Sequence, residues 1–445
     1  MNAHSTRAMG SRPVDSLKPA SRNARTHSRK QIRQIADSIK RFGFTNPVLI
    51  DDDGGIIAGH GRVAAAKLLG LDTVPVVSLS GLSAKERQAY ALADNKLALN
   101  AGWDQELLAV EFQELVDAGF ELELTGFSIS EIDFTMDQAT QSRADADDAV
   151  ADRVPDQAPF AVTRSGDLWR LGRHLLLCGD ARDAVHYEQL MQGEAAGLVF
   201  TDPPYNVPID GHVCGLGRVR HREFAMGAGE MSEGQFTKFL STALLNMTAQ
   251  CRDGSILYVC MDWRHIEELS AAGRQGGLEL KNLCVWNKTN GGMGSFYRSK
   301  HELVFVFKHG QAPHVNSFGL GDGGRYRTNV WDYPGISSIG PGREAELAMH
   351  PTVKPVALVA DAIRDCSRRG DIVLDPFAGS GTTLIAAQMT GRTARLIEYD
   401  PFYCDTIIRR FTAFTGKSAV LANNGETFEA LLENRSSARL QADES

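Results

Sequence analysis

Several features typical of other protein classes are missing from this sequence of 445 residues. No apolar run approaches the roughly 18 residues that a membrane-spanning helix needs, and the N-terminus lacks the apolar core of a signal peptide. Basic residues are not in excess, because 47 Lys and Arg stand against 55 Asp and Glu, giving a net charge of −8. A histone-like protein is therefore excluded, whereas binding of nucleic acid through a local basic face is not.

Cysteine is present but is not arranged in pairs. The seven cysteines include no Cys-x-x-Cys spacing, and their number is odd. Both observations disfavour a zinc knuckle and a disulfide scaffold and favour a reducing compartment. We therefore predict a soluble cytoplasmic protein that has no metal site and does not bind membranes.

Shifts in composition divide the chain into five predicted segments. Residues 1–30 are polar and locally basic, which predicts either a flexible arm or an arm that touches DNA. Residues 31–136 predict a small α+β domain with a helical extension, and residues 137–160 an acidic linker. Residues 161–435 form the main predicted domain, and residues 436–445 a tail.

Apolar segments in the C-terminal half are short and continuous. They include Leu198–Phe200, Ile256–Val259, Leu303–Phe307 and Ile372–Leu374, with helical stretches between several of them. Continuous apolar runs are typical of parallel strands that are covered on both faces. The pattern predicts a doubly wound α/β sheet, with a hairpin across residues 168–177.

A loop with two glycines, Asp375-Pro376-Phe377-Ala378-Gly379-Ser380-Gly381-Thr382-Thr383, follows one of these strands and opens a predicted helix. The glycines allow a tight turn and a close approach, and the helix N-terminus offers free N–H groups to a carboxylate or phosphate. The loop lacks the third glycine of a dinucleotide fingerprint and the Gly-Lys-Ser/Thr of a phosphate loop, which disfavours NAD and ATP. The next strand ends in Glu398, an acid placed to accept hydrogen bonds from ribose hydroxyls. The loop predicts a nucleotide-type site, and ordinary turn glycines are the alternative.

The second motif is Thr201-Asp202-Pro203-Pro204-Tyr205, which directly follows the run Leu198–Phe200. Two consecutive prolines cannot continue a central strand, so they hold a stiff loop at the carboxyl end of that strand. Ligands of open α/β sheets bind at that end. The loop's carboxylate and proline carbonyl suit an NH₂ group, and its ring suits stacking on a flat heterocycle. A Pro-Pro turn with an exposed tyrosine is the alternative.

Together the two motifs resemble the S-adenosylmethionine-dependent DNA amino-methyltransferases. The Asp-Pro-Pro-Tyr loop precedes the glycine loop by about 170 residues, which resembles the permuted β class. Further matches are His350-Pro351-Thr352-Val353-Lys354-Pro355 and Cys178-Gly179-Asp180, so the resemblance spans roughly residues 166–415. It implies an α/β fold, a doubly wound Rossmann-like methyltransferase sheet with permuted motif order, and S-adenosylmethionine as the cofactor.

The resemblance also implies roles for individual residues. The catalytic set would be Asp202, Pro203, Pro204 and Tyr205. Asp180 would contact the cofactor's adenine, Glu398 its ribose, and the glycine loop its methionine part. The other implied cofactor-binding residues are His350, Lys354, Asp375, Phe377, Gly379, Ser380, Gly381, Thr382 and Thr383.

The activity implied is methylation of the N6 amino group of adenine in DNA, in the manner of restriction–modification enzymes. Asp202, rather than a serine, resembles the adenine-specific members. Methylation of cytosine N4 or of RNA is an alternative, and so is a partition-type DNA-binding regulator with an inactive methyltransferase fold. Methylation at cytosine C5 is disfavoured, because enzymes of that family use a Pro-Cys pair and this sequence contains none.

Contacts to double-stranded DNA are expected where basic and aromatic residues interleave. Arg298 and Lys300 adjoin Phe296 and Tyr297, and Arg325 and Arg327 flank a tyrosine. Such groups suit phosphate contact and stacking, with solvated loop charge as the alternative. β-class relatives also suggest a homodimer.

The N-terminal segment resembles the ParB/sulfiredoxin-like domain of partition proteins over about residues 13–80. The resemblance lies in Pro47-Val48-Leu49-Ile50, Ala58-Gly59-His60-Gly61-Arg62 and Val74-Pro75-Val76. In the partition proteins the second of these boxes carries two arginines and binds a nucleotide, whereas here Gly61 replaces one of them. We therefore hypothesise that this unit assists DNA binding or assembly, with a structural adaptor as the alternative.

Overall fold

The computed structural model describes residues 9–20, 23–141, 151–155, 160–207, 229–289, 291, 296–318, 327–335 and 353–443. The chain forms two units, residues 1–139 and 140–445. Within the described residues no helix is long and apolar enough to cross a membrane.

The first unit contains a four-stranded sheet covered by helices. Its elements are β1 Met9–Pro13, α1 Arg29–Phe42, β2 Val48–Ile50, β3 Ile56–Ala58, α2 His60–Leu68 and β4 Thr73–Ser78. The strand order is β1-β4-β2-β3, with β2 and β4 parallel and the other pairs antiparallel. The core includes Val48, Ile50, Val63 and Val76, which confirms the predicted α+β unit.

The first strand corrects the prediction of an arm over residues 1–30. Met9 pairs with Val77 and Pro13 with Thr73, so residues 9–13 are an edge strand of the sheet. Val14, which follows that strand, is buried in the core of this unit. The sequence did not predict this strand because all five of its residues are exposed and show no apolar alternation.

Three helices extend this unit, as the sequence predicts: α3 Ala84–Ala98, α4 Gln105–Asp117 and α5 Ile129–Gln141. The side chain of Ser83 accepts from the backbone N–H of Glu86 and completes a capping box at the start of α3. Asp104 caps α4 in the same way. Leu108, Phe112 and Ile132 form a separate small core between α4 and α5.

The second unit is built on a ten-stranded sheet in the order β11-β9-β10-β8-β7-β12-β13-β6-β5-β14. The strands are β5 Leu168–Leu171, β6 His174–Cys178, β7 Ala196–Thr201, β8 Cys251–Met261, β9 Glu279–Asn287, β10 His301–Lys308, β11 Val330–Asp332, β12 Ile372–Asp375, β13 Thr393–Glu398 and β14 Val420–Leu421. The five central strands, from β8 to β6, are parallel.

Strand direction confirms most of the sequence prediction and corrects one part of it. β5 and β6 form the predicted hairpin, in which Leu171 pairs with His174. The run Leu303–Phe307 was predicted as a parallel strand, but β10 is antiparallel to both β8 and β9. It reads as a continuous apolar run because both of its faces are covered, and burial does not depend on strand direction.

Helices cover both faces of the large sheet. They are α6 Ala184–Met191, α7 Glu233–Ala249, α8 Ile266–Gln275, α9 Val356–Cys366, α10 Thr382–Met389, α11 Pro401–Thr415 and α12 Phe428–Asp443. Leu198 and Phe200 belong to the core that includes α9, α10 and α11, whereas Val199 belongs to the core that includes α6, α7 and α8. This division follows from the two-residue period of a strand and confirms the doubly wound sheet.

Part of the predicted acidic linker belongs to the second unit. Ala151 is buried, and its carbonyl accepts hydrogen bonds from Arg410. The Asp152 carboxylate accepts from the backbone N–H of Val356 at 2.9 Å, at the start of α9. The boundary drawn at residue 160 was therefore wrong for these two residues, because composition alone does not reveal such specific polar contacts.

Candidate functional site

A cleft opens at the carboxyl edge of the parallel strands and encloses about 1200 Å³, its open mouth included. Because β7, β12 and β13 are parallel neighbours, the loops that follow them meet at this edge. Both sequence motifs and the acid at the end of β13 therefore share one cavity. The predicted residues in its wall are Asp202, Pro203, Pro204, Tyr205, Lys354, Asp375, Phe377, Gly379, Ser380, Thr382, Thr383 and Glu398.

The glycine loop has the conformation that its residues require. Gly379 has φ +52° and Gly381 has φ +84°, both in the left-handed region that favours glycine. A Cβ atom on Gly381 would lie 3.1 Å from two atoms of Ile407, so the close packing of α11 also requires glycine there. α10 begins at the next residue, Thr382, and its N-terminal N–H groups lie at the cleft wall.

Asp375 joins the two motifs. Its carboxylate accepts from the hydroxyl of Thr201 at 2.8 Å and from the hydroxyl of Thr383 at 2.7 Å. The backbone N–H of Phe377 adds a third hydrogen bond at 3.1 Å. Burial raises the pKa of Asp375 to about 6, although the two hydroxyls act in the opposite direction. Asp375 and Thr383, both predicted to bind the cofactor, thus serve here to fix the two loops relative to each other.

Glu398 closes the same wall of the cleft. Its carboxylate accepts from the backbone N–H of Gly379 at 2.8 Å and from that of Asp400 at 2.9 Å. Burial raises the pKa of Glu398 to about 8 despite these two hydrogen bonds. The carboxylate retains further acceptor positions, because each of its oxygens can accept two hydrogen bonds.

A buried arginine that sequence reasoning missed supports the glycine loop from behind. Arg410, on α11, donates to the carbonyl of Ser380 at 3.1 Å and to the hydroxyl of Thr382 at 3.3 Å. Its other nitrogen atoms donate to the carbonyl of Ala151. Burial lowers the pKa of Arg410 to about 10. An arginine in an otherwise apolar helix was the available signal, because a buried charge needs partners.

The Asp202 carboxylate is held by two neighbours. The hydroxyl of Tyr205 donates to Oδ1 at 2.5 Å, and the ammonium of Lys354 donates to Oδ2 at 2.5 Å. The Asp202 side chain remains 24% exposed, so part of it is open to the cleft. Burial raises the pKa of Asp202, and the positive charge of Lys354 opposes that shift.

Glu302 and Lys288 complete this cluster, and sequence reasoning missed both. Glu302, on β10, lies 2.9 Å from the Lys354 ammonium and also accepts a hydrogen bond from Lys288. Burial opposes ionisation of Glu302, but the two ammonium groups outweigh it and lower its pKa to about 2. A glutamate near the start of an apolar run was the signal that could have revealed it.

Other predicted residues lie outside the cleft. Asp180 is one residue from the cleft wall and forms a bidentate ion pair with Arg182, with distances of 2.6 and 3.0 Å. Gly381 lies behind the wall. His350 and Arg325 fall outside the described residues.

The predicted contacts to DNA separate into two groups. Arg298 and Lys300 are exposed on the connection between β9 and β10. Arg327 instead donates to Asp365 at 3.0 Å and lies 3.6 Å from Asp361. Its charge is thus used within the protein, which corrects the prediction that Arg327 contacts nucleic acid. The sequence could not show this, because both acidic partners lie on α9, more than 30 residues away.

Comparison with known families assigns the chain. The DNA methylase (N6/N4 methyltransferase) family model matches residues 196–409, which contain both motifs. The chain belongs to the N6/N4 DNA methylase family. It is a DNA methyltransferase, and this family uses S-adenosylmethionine as its methyl donor. The ParB N-terminal domain matches residues 2–96, and the ParB-methyltransferase HTH domain matches residues 106–165, so a DNA-binding role extends beyond the catalytic unit.

Individual relatives match different parts of this methyltransferase. The ParB-like nuclease domain-containing protein YnaK of Escherichia coli is 58% identical over 77 residues, which is 17% of this chain and 88% of YnaK. The type II methyltransferase M2.MboI of Moraxella bovis is 22% identical over 240 residues, 52% of this chain and 86% of that enzyme. A crystal structure of an M1.HpyAVI–SAM complex is 21% identical, covers 53% of this chain and 97% of its own, and gives a TM-score of 0.40.

The groups in the cleft fit S-adenosylmethionine. The cofactor carries ribose hydroxyls, which suit the carboxylate of Glu398, and a carboxylate, which suits the N-terminus of α10. The left-handed glycines Gly379 and Gly381 let the backbone approach such a ligand closely.

Proposed function

We propose that this DNA methyltransferase modifies the N6 amino group of adenine in double-stranded DNA. The observation that carries the proposal is the shared cleft of the Asp202–Tyr205 loop, the glycine loop and Glu398. This arrangement brings an acceptor for an amino group next to a site that suits the methyl donor. Adenine is favoured over cytosine by the aspartate at position 202, through the resemblance to adenine-specific enzymes.

The chemistry required of the loop follows from the amino group itself. The lone pair of an adenine N6 atom is delocalised into the ring, so the atom is a weak nucleophile. Hydrogen bonds from the NH₂ group to the Asp202 carboxylate and the Pro203 carbonyl would localise that lone pair toward the methyl group. S-adenosylmethionine supplies an electrophilic methyl group on a positively charged sulfur. The chain needs no covalent intermediate, and its residues orient the nucleophile.

Access to the base requires extrusion from the duplex, which costs a few kcal/mol. Stacking on the ring of Tyr205 can return about 1–3 kcal/mol of that cost. Alignment of nucleophile and methyl group can contribute up to about 7–11 kcal/mol in well-oriented systems. Positioning within the cleft therefore accounts for most of the rate enhancement that we expect.

In the cofactor site we propose that Glu398 binds the ribose and the glycine loop the methionine part. The glycine loop provides Phe377, Gly379, Ser380 and Thr382 to the cleft. Asp180 and His350 are proposed to border the adenine end of the site, as the family resemblance implies.

The ParB-like unit is proposed to assist DNA binding or assembly into a homodimer. Its Gly59-to-Arg62 box is built for packing. A Cβ atom on Gly61 would lie 3.0 Å from the ring of His27, and Arg62 donates to the carbonyls of Asn46 and Pro47 at 2.9 Å. An arginine at position 61 would therefore collide with its surroundings. Titration of the full chain and of residues 161–445 with DNA and with CTP, together with sedimentation, tests this role. Equal DNA affinity and equal mass per complex would leave only an adaptor.

The proposed activity is tested by incubating unmethylated DNA with the protein and isotope-labelled S-adenosylmethionine, followed by nucleoside mass spectrometry. Label in N6-methyladenosine is the expected result. Label in N4-methylcytosine would retain the cleft chemistry and overturn the assignment of the base. Label in RNA alone would overturn the assignment of DNA, and cofactor binding without transfer would favour a DNA-binding regulator.

The role of Asp202 is tested by Asp202→Ala. We expect this variant to lose methylation and to keep its affinity for S-adenosylmethionine, because the carboxylate is assigned to the target base. Full retained activity would remove Asp202 from the mechanism. Asp183→Ala, a change at the exposed cap of α6, is the matched control.

A further inference from the structure

A buried lysine lies against the carboxylate that we assign to the target base. The Lys354 ammonium is 2.5 Å from Asp202 Oδ2, 2.9 Å from Glu302 Oε2 and 3.3 Å from the hydroxyl oxygen of Tyr205. Its side chain is 4% exposed. An ammonium buried to this degree is stable only where opposite charges and hydrogen bonds replace its hydration. Its position is therefore set by the two carboxylates.

Glu302 provides an anchor for Lys354 that does not depend on Asp202. It lies on β10, inside the sheet, and also accepts a hydrogen bond from Lys288. The ring of Trp286 lies beneath both ammonium groups, 4.6 Å from that of Lys288 and 5.9 Å from that of Lys354. Cation–π attraction adds to the ion pairs at such distances. Lys354 is thus fixed to the sheet on one side and reaches the mobile proton acceptor of the loop on the other.

We propose that Lys354, anchored by Glu302, is a positioning residue that orients the Asp202 carboxylate and keeps it ionised for the target amino group. The proposal rests on the proposed amino-methyltransferase site. It gives Lys354 a different role from the cofactor contact that the family resemblance implies. An ionised carboxylate can only accept hydrogen bonds, as an NH₂ group requires, whereas a protonated carboxyl would offer a competing donor.

The charges around Asp202 explain why it needs a cation. Burial and the negative charge of Glu302 both raise the pKa of Asp202, and Lys354 lowers it. The titratable and charged groups that face Asp202 are Lys354, Glu302, Tyr205, Cys260 and Asp375, with Lys288 behind Glu302. Without the ammonium, two buried carboxylates would repel each other across the hydroxyl of Tyr205.

The test is the pH profile of single-turnover methylation, with two substitutions that act in opposite directions. Lys354→Met removes the cation and should move the acid limb of the profile to higher pH, by about 1–3 pH units for the loss of an adjacent opposite charge. Glu302→Gln removes the neighbouring negative charge, so the acid limb should move to lower pH. Affinity for S-adenosylmethionine should stay within about twofold of wild type in both variants, since the proposal places neither residue on the cofactor.

Lys354→Arg should restore most of the wild-type profile, because it keeps the charge. Lys281→Met is the matched control, as it removes an exposed lysine that pairs with exposed Glu279 on β9. An unshifted acid limb in Lys354→Met, with weaker cofactor binding, would assign Lys354 to the cofactor and overturn the proposal. If Lys354→Met does not fold, an acid limb of Glu302→Gln that stays or moves upward overturns it equally. Absence of DNA methylation by the wild-type enzyme would instead refute the proposed function.

Discussion

The hydroxyl of Tyr205 allows two roles of the catalytic loop to be separated. Its oxygen donates to Asp202 Oδ1 at 2.5 Å and lies 3.3 Å from both Glu302 and the Lys354 ammonium. The ring, by contrast, is the group proposed to stack on the extruded base. Tyr205→Phe removes the hydroxyl and keeps the ring, whereas Tyr205→Ala removes both.

The magnitude follows from the type of hydrogen bond. A hydrogen bond to a charged group is worth about 1.5–3 kcal/mol, and 1.4 kcal/mol corresponds to a factor of ten. Because this bond fixes the Asp202 carboxylate, Tyr205→Phe should lower kcat about 10- to 150-fold with little change in KM for DNA. Tyr205→Ala should lose a further 1–3 kcal/mol or so from stacking, and most of that loss should appear in DNA affinity.

The measurement is single-turnover methylation of a short duplex, with binding to the same duplex followed by fluorescence anisotropy. Tyr205→Trp, which keeps a stacking ring but lacks the hydroxyl, should resemble Tyr205→Phe in its rate. A wild-type rate for Tyr205→Phe would show that the hydroxyl does not position Asp202. Equal DNA affinity in Tyr205→Phe and Tyr205→Ala would refute the stacking role.

Three further predictions concern the cofactor and DNA. Because burial raises the pKa of Glu398 to about 8, its carboxylate is ionised above that pH, so affinity for S-adenosylmethionine measured by calorimetry should fall as pH drops through 8, by up to about tenfold per pH unit, and Glu398→Gln should abolish this slope. Gly381→Ala should lower both Tm and cofactor affinity, because strain of about 1–3 kcal/mol adds to the contact with Ile407; Gly416→Ala, at φ +70° with open space, should lower Tm alone. Arg298→Ala with Lys300→Ala should weaken DNA binding and reduce its salt dependence by about 0.9 per lost phosphate contact, and an unchanged slope would place neither residue on DNA.

The catalytic unit could be predicted from sequence because its information is local. Continuous apolar runs mark the strands, and each motif is a contiguous segment at a strand end. Direction is a different matter, since β10 is apolar whether it is parallel or antiparallel to its neighbours. The same limit applies to β1, an exposed edge strand whose pairing with β4 leaves no apolar pattern in its five residues.

The supporting side chains could not be placed because their partners are distant in sequence. Glu302 meets Lys354 across 52 residues and Asp202 across 100 residues, and Arg410 reaches the carbonyl of Ala151 across 259. Composition shows only that each is a charged residue in an apolar element. Such a residue must find a partner, but its identity depends on which loops the sheet brings together.

Asp375 shows why the two motifs act as one unit. Thr201 belongs to the catalytic motif and Thr383 to the cofactor motif, and both hydroxyls donate to the same buried carboxylate. The loop that holds the target base and the loop that holds the cofactor are therefore fixed to each other through three side chains. A shift in either loop would break a buried hydrogen bond, which costs about 1–3 kcal/mol when a partner is left unpaired. In-line transfer depends on the distance between the two ligands, and this carboxylate is the shortest covalently anchored link between their loops. Thr201 and Asp375 thus owe their place in the motifs to alignment of the reactants, which explains why the structure uses them away from any ligand.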